Sequence, residues 1–312
     1  MRQLREPPTI SVCIPAYNNA ATFSRCLRSV LAQRNVTVEC IISDDSDSEA
    51  IHEIVREVGD PRVVYAANAP ALGAPGNWNA ALAGAHGKIV TLLHQDDWYL
   101  SPLVLASVAR RFAETGAEVL LCGRALYANG KRIGEYPAND AAIRKFSAAF
   151  PDRSLVVNRL GSPSVIFFAG KFSSIRYDTR LLYFSDTEYF ARLFAAAGPA
   201  ACMAEPAIGI EWGADGQISS GCLEHLGSLV AELAYALHKT RSGRVDSGLA
   251  LSRFFAANAR HWRKGGAGEA LAVSLKHFSP AALAVAACAL PIFGMHMAYR
   301  LAHRLVAGKP WG

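Results

Sequence analysis

The residues best suited to chemistry sit where apolar runs stop. Asp96 and Asp97 follow the run Ile89 to Leu93. A backbone that leaves a buried strand so abruptly should turn both carboxylates to solvent. Adjacent carboxylates hold hard divalent cations such as Mg²⁺ or Mn²⁺, which share their shells with substrate phosphates. Without a cation the pair would serve as a turn or helix N-cap. A second cluster, Asp44-Asp45-Ser46-Asp47-Ser48, ends another apolar run. Acids this close repel each other unless a cation or hydrogen-bond donor is near. Asp47 is read as the N-cap of a helix from Ser48, and Asp45 as an acceptor for a nucleobase N–H. Pro15-Ala16-Tyr17-Asn18-Asn19 ends the first apolar run. A tyrosine there can stack on a base while its hydroxyl meets polar groups; alternatively the segment only leads into a helix, with Asn as cap. Asp186 opens a helical stretch whose apolar face carries Tyr189, Phe190 and Leu193. Such an acid is either a cap or a general base held toward a cleft.

The elements that must position these groups alternate. Strand patterns at Thr9–Pro15, Val36–Ser43, Arg62–Ala66 and Lys88–Leu93 are separated by helical ones over 21–33, Ser48–Val58 and Asn77–Ala85. Pro102 opens a further helix with Leu105, Val108, Ala109 and Phe112 on one face. This rhythm predicts an α/β fold, a largely parallel sheet covered on both faces. Ligands bind such sheets beyond the carboxyl ends of the strands, where Tyr17, Asn18, Asp44, Asp45, Asn68, Asp96 and Asp97 all fall. Glu118–Tyr127 and Ser164–Phe168 read as strands in a less regular stretch, 117–170, and Asn129-Gly130 as a tight turn. A helix follows over 185–197, and further helices with basic interruptions over 223–275.

A chain of 312 residues, 51% hydrophobic and 19% charged, can bury a sizeable core and excludes wholesale disorder. The net charge of +6 suits a nucleotide, a nucleic acid or an anionic membrane and does not choose among them. Seven cysteines at 13, 26, 40, 122, 202, 222 and 288 show no C-x-x-C spacing. They indicate a reducing cytoplasm rather than a zinc site or disulfide framework. MRQLREPP has no apolar run after its charges, so no secretory signal is expected. From Phe278 to Tyr299 no charged side chain occurs, and basic residues flank the stretch. Its length just reaches the roughly 20 residues of a bilayer span. Pro280, Pro291, His296 and the many alanines favour instead a helix lying on an anionic surface, ahead of a helix packed on the protein or in a dimer.

Taken together, four strings resemble the family 2 glycosyltransferases with the GT-A fold: Ser11 to Asn18, Cys40 to Ser46, Gly73 to Asn79 and Leu92 to Asp97. Their order and spacing match, strongly over 9–115, thinly to about 220, and not in the tail. The resemblance implies a GT-A domain over 1–220, with a nucleotide-binding half at 9–115 and an acceptor half at 116–220. A helical extension over 221–312 would follow. It implies that Pro15, Ala16, Tyr17, Asn18, Asp45 and Asn77 bind the nucleotide, Asp96 the ribose or metal, and Asp97 the metal, Mg²⁺ or Mn²⁺. Asp186, within Phe184-Ser185-Asp186-Thr187-Glu188, would be the catalytic base, with Glu188 second. The partners implied are a nucleotide-sugar donor and a glycan or lipid-linked acceptor, with no nucleic acid, at the inner face of the cytoplasmic membrane. The chain departs from the relatives twice. Their Asp-x-Asp-Asp is His94-Gln95-Asp96-Asp97 here, and no His occurs within Glu211–Gln217. These departures leave the metal register open by one residue and a third ligand unassigned. The rival enzyme, a sugar nucleotidyltransferase, would carry a Gly-rich loop with Arg or Lys after the first strand, which Pro15–Asn19 lacks. The rival non-enzyme is a membrane-associated sugar-binding protein with a decayed site. The acids at 45, 96, 97 and 186 argue against it.

Overall fold

The fold is given by a computed structural model. It describes residues 8–149, 156, 158, 160–213, 222, 225–240, 244–258 and 267–290. The chain divides into two compact units. Unit 1 comprises residues 1–143, 160–179 and 192–212; unit 2 comprises 144–159, 180–191 and 213–312.

Unit 1 is built on β1 (Ile10–Ala16), β2 (Val38–Asp44), β3 (Val63–Ala67) and β4 (Ile89–Leu92), paired in parallel in the order β3-β2-β1-β4. Every residue of β1 and β4 is buried, as expected of strands covered on both faces. Helices α1 (Ala20–Leu31), α2 (Ala50–Val58) and α3 (Ala74–Ala83) connect them. The rest of the sheet mixes directions: β5 (Trp98–Tyr99), β6 (Val119–Ala128), β7 (Lys131–Tyr136), β8 (Ile166–Ala169) and β9 (Ala200–Glu211), with α4 (Val104–Thr115) leading into β6. The whole is an α/β, GT-A-like sheet, mostly parallel in the half that carries the acids. Register fixes the site: Ala16 lies opposite Asp44, and Cys13 opposite Leu92. The segments 17–19, 45–47 and 93–97 therefore leave the sheet at one edge.

Local chemistry explains the boundaries. Asn19 Oδ1 accepts the Thr22 N–H at 3.1 Å and caps α1. Gly59 and Gly116 end α2 and α4 with φ of 55° and 62°, the left-handed closing residue that glycine adopts at least cost. Asn129 and Gly130, both at positive φ, make the β6–β7 turn. Two expectations need correction. The cap of α2 is Glu49, without a side-chain bond, not Asp47. The stretch after 117 is more regular than its sequence suggests, because β7 and β9 were hidden. Lys131–Tyr136 is mostly exposed and polar, and β9 contains Pro206 at an irregular register; neither feature reads as a strand.

The part of unit 2 after residue 225 carries helices over Leu226–Lys239, Arg244–Ala257, Ala267–His277 and 280–290. Leu229, Val230, Leu233, Phe254, Phe278, Ala282 and Ala286 share one core with Leu181 and Phe184. Burying each Leu or Phe stabilises this unit by about 1.5–3 kcal/mol. Phe278, Ala282 and Ala286 belong to the uncharged tail, so its described part is a packed helix face. The opposite face, with Ala281, Ala284, Ala287 and Cys288, is exposed. Residues 291–299 of that stretch lie outside the described residues. Among the described residues, no helix is long and apolar enough to cross a membrane.

Candidate nucleotide and metal site

The edge of unit 1 laces three loops together. Gln95 clamps Tyr17: its Oε1 accepts the Tyr17 N–H at 2.9 Å and its Nε2 donates to the Tyr17 carbonyl at 2.7 Å. With its backbone held, the Tyr17 ring remains 58% exposed. The Asn18 N–H reaches Ser46 Oγ at 2.8 Å, and Asn18 Oδ1 accepts the Asp47 N–H at 3.2 Å. Asp45 is buried; its Oδ1 accepts from Asn68 Nδ2 at 2.7 Å and from the Leu72 N–H at 3.1 Å. Asn77, also buried, donates to the Ala16 carbonyl at 3.0 Å and accepts from Asn68 at 3.2 Å. Pro15 and Ala16 are buried within β1. Asp44 is consumed locally, accepting from the Ser46 N–H and the Tyr65 hydroxyl. The last bond helps push the Tyr65 phenol, already raised by burial, well above its ordinary range.

The acids after β4 are held from four sides. Asp97 is 2% exposed, so the expectation that both carboxylates face solvent fails for it. Its Oδ2 accepts the Ser162 hydroxyl at 3.1 Å, beside the turn Pro163–Val165 that also brings in Ser164. Ser164 Oγ in turn accepts the His94 N–H at 3.0 Å. Arg25 of α1 donates to the Asp96 carbonyl at 3.0 Å, pairs with Glu211 of β9 at 2.9 Å, and stacks 3.7 Å from the Trp98 ring centre. It pins the acid turn between α1 and β9. Burial, then the neighbouring Asp96 charge, pushes the Asp97 carboxyl well above the usual range, against the pull of the two serines and Arg25. Burial pushes the His94 imidazole the other way, downward, keeping it neutral.

One ligand atom each from His94, Asp96 and Asp97 lies within 4.8 Å of the others, and this is the one such cluster among the described residues. Two carboxylates and a neutral imidazole fit a divalent cation by donor chemistry. The crowding that raises Asp97 is what a cation relieves. All the sequence-derived residues from Pro15 to Asp97 thus meet at one edge.

Asp186 belongs to unit 2 and has its own surroundings. It lies in the first turn of the helix Ser185–Ala196. The preceding segment is anchored by Glu232, whose Oε1 accepts the Leu182 N–H at 2.8 Å and the Phe184 N–H at 2.7 Å. Asp186 Oδ1 is covered and has no hydrogen-bond partner. Burial raises its carboxyl to about 7. Glu188 differs: it is buried in an ion pair with Lys239 at 2.8 Å.

Sequence reasoning missed Arg25, Ser162, Ser164, Glu211 and Glu232. Arg25 and Glu232 looked like the polar faces of helices, Ser164 like the start of a strand, and Ser162 and Glu211 lay in segments without a recognisable pattern. Gln95 and His94 were visible only as departures.

Residues 11–177, more than half of the chain, match Glycosyl transferase family 2, and the protein belongs to that family. An uncharacterized protein of Mycobacterium tuberculosis (strain CDC 1551 / Oshkosh) is 30% identical over 60% of this chain and 62% of its own length. The UDP-Glc:alpha-D-GlcNAc-diphosphoundecaprenol beta-1,3-glucosyltransferase WfaP of Escherichia coli is 31% identical over 34% of this chain and 41% of its own. The chain thus spans less than two thirds of these relatives. The structure of S. aureus TarS 1-349 in complex with UDP-GlcNAc superposes with a TM-score of 0.65, covering 97% of this chain and 93% of that one at 14% identity. That likeness concerns the fold.

Proposed function

We propose that this protein transfers a sugar from a nucleoside diphosphate sugar to an acceptor hydroxyl, with inversion. The carrying observation is the convergence of Tyr17, Asp45 and the His94–Asp97 cluster at one strand-end edge. Tyr17 offers an exposed ring for the base, and Asp45 a carboxylate held in place by Asn68 and Leu72. A pyrimidine N3–H is the donor it would accept, which favours UDP first and dTDP second. Asp96 and Asp97 would hold Mg²⁺ or Mn²⁺, which supplies positive charge for the departing diphosphate. Asp186 would take the acceptor's proton; its raised carboxyl and unpartnered oxygen support that role over Glu188. The WfaP relative's name specifies a lipid-diphosphate acceptor, which makes a lipid-linked sugar the acceptor class to try first.

UDP or dTDP with Mn²⁺ should raise the midpoint of thermal unfolding, and Tyr17→Ala should lose most of that protection while keeping its own unfolding temperature. Asp45→Asn should weaken UDP binding by roughly tenfold, the weight of one hydrogen bond to a charged group. If neither nucleotide protects the wild type, the pocket is wrong. A panel of labelled sugar nucleotides then identifies the donor by turnover.

We further propose that the protein works at the inner face of the cytoplasmic membrane. Leu271 and Leu275, one turn apart, are 57% and 64% exposed beside the exposed Lys276 and His277. Apolar anchors beside a lysine suit an anionic interface, where each Lys or Arg near the surface adds about 1 kcal/mol. The full-length protein should co-sediment with phosphatidylglycerol vesicles and the Leu271→Gln/Leu275→Gln variant several-fold less. Equal pelleting of the two would remove the membrane from this reading. Truncating before His277 is the poorer test, since it deletes core side chains of unit 2.

A further inference from the structure

We propose that His94 supplies a nitrogen ligand to the cation at Asp96 and Asp97, so that the site prefers Mn²⁺ or Co²⁺ over Mg²⁺. The inference rests on the metal-dependent reading above and adds the identity of the third donor. It starts from an unpaid polar atom: His94 Nε2 is fully covered and has no hydrogen-bond partner. Leaving such an atom unmatched costs stability. Nothing in the local packing recovers that cost, yet the ring is carefully held. Trp78 lies against it, with ring centres 5.4 Å apart and planes 33° apart. The backbone on either side of the ring is fixed as well. The His94 N–H donates to Ser164 Oγ, and its carbonyl accepts the Asp97 N–H at 3.0 Å.

Ser164 therefore works on both halves of the cluster, holding His94 by its backbone and Asp97 by its carboxylate. The result is one donor atom each from His94, Asp96 and Asp97 inside a 4.8 Å sphere of mutual distances. Donors sharing one ion sit at most about 4.4 Å apart, since each bond is roughly 2.0–2.2 Å long. Side-chain movements of a few tenths of an ångström close the difference. The ligand set then has one nitrogen and two carboxylates. An imidazole in place of a carboxylate removes a negative charge, which weakens a site for Mg²⁺, an ion that takes oxygen and keeps its waters. Borderline transition ions accept nitrogen and lose less.

Mn²⁺ is both ion and probe. Pulsed electron paramagnetic resonance on the full-length protein loaded with Mn²⁺, with and without UDP, should show ¹⁴N modulation from a directly bound imidazole. The modulation should vanish in His94→Asp and in His94→Gln, two variants so that one folding failure does not decide the matter. Competition of Mg²⁺ against bound Mn²⁺ should show the Mn²⁺ preference falling roughly tenfold in His94→Asp, the lower end of what ligand-shell changes cost. Wild-type Mn²⁺ without ¹⁴N modulation overturns the proposal and needs no variant; so does a preference unchanged in the variants. If Mn²⁺ binds and UDP protects without a nitrogen signal, only His94 is wrong. If Mn²⁺ binds no form of the protein, this inference and the metal part of the proposed function fall together, while nucleotide protection still tests the pocket.

Discussion

Asp97→Asn should reduce sugar transfer by about 10³-fold or more and leave the protein folded. A cation stabilising a departing diphosphate is worth several kcal/mol, and about 4 kcal/mol corresponds to three decades of rate. Asn is the substitution to use because Asp97 is 2% exposed and accepts the Ser162 hydroxyl. An amide oxygen can still accept from Ser162 and Ser164, so the packing survives while the charge is lost. Ala would instead leave those two hydroxyls unmatched, at about 1–3 kcal/mol, and blur catalysis with stability. The metal-free variant should unfold no earlier than the wild type, because it no longer buries a crowded carboxylate. It should also lose the stabilisation that Mn²⁺ gives the wild type. Turnover above about 1% of wild type, or wild-type activity indifferent to a chelator, would defeat the assignment.

That prediction changes the reason, though not the residue, that the sequence supplies. Asp96-Asp97 after a buried run marks a strand end, and the structure puts it there. The sequence could not show that Asp97 is buried, since the groups that cover it come from Ser162 and Ser164, far along the chain. The parallel half of the sheet was readable because β1, β2 and β4 are largely apolar and each is followed by a turn or an acid pair. In the mixed half β6 and β8 were readable as apolar runs; β7 and β9 were not, because β7 is an exposed edge and β9 breaks its pattern at Pro206. Arg25 has no local signature either; its role appears only once β9 brings Glu211 to it.

The tail shows a different limit. An alanine-rich stretch without charge is equally good at packing on protein and at meeting lipid, and periodicity alone does not separate the two. Phe278, Ala282 and Ala286 settle into the core of unit 2. The exposed leucines that remain for a membrane lie earlier, at 271 and 275, where the sequence reading had placed only a helix with basic interruptions.

Asp186→Asn should lower the chemical step by about 10²–10⁴-fold, the usual worth of a general base, with UDP affinity unchanged in calorimetry. The pH dependence sharpens the test. With its carboxyl raised to about 7 by burial, wild-type Asp186 is protonated below that pH and cannot accept a proton. Turnover at saturating substrate should therefore climb tenfold per pH unit below 7 and level off above it; the residual activity of the variant should lack this step. Stability must move in the opposite sense. Between the unfolded value near 4 and the folded value near 7, the native state binds more protons than the unfolded one, so the wild type loses stability as pH rises through that window. Asp186→Asn carries no such penalty. The two proteins should unfold alike near pH 4, and by pH 8 the variant should be the more stable by about 1–3 kcal/mol. The same substitution should thus slow the reaction and strengthen the fold, as expected of a carboxyl with one covered oxygen that has no hydrogen-bond partner. A variant with full turnover would move the base elsewhere. Glu188 would be the next residue to test, although its ion pair with Lys239 would first have to open. A stability gap that stays flat from pH 4 to 8 would show that the Asp186 carboxyl titrates normally rather than near 7.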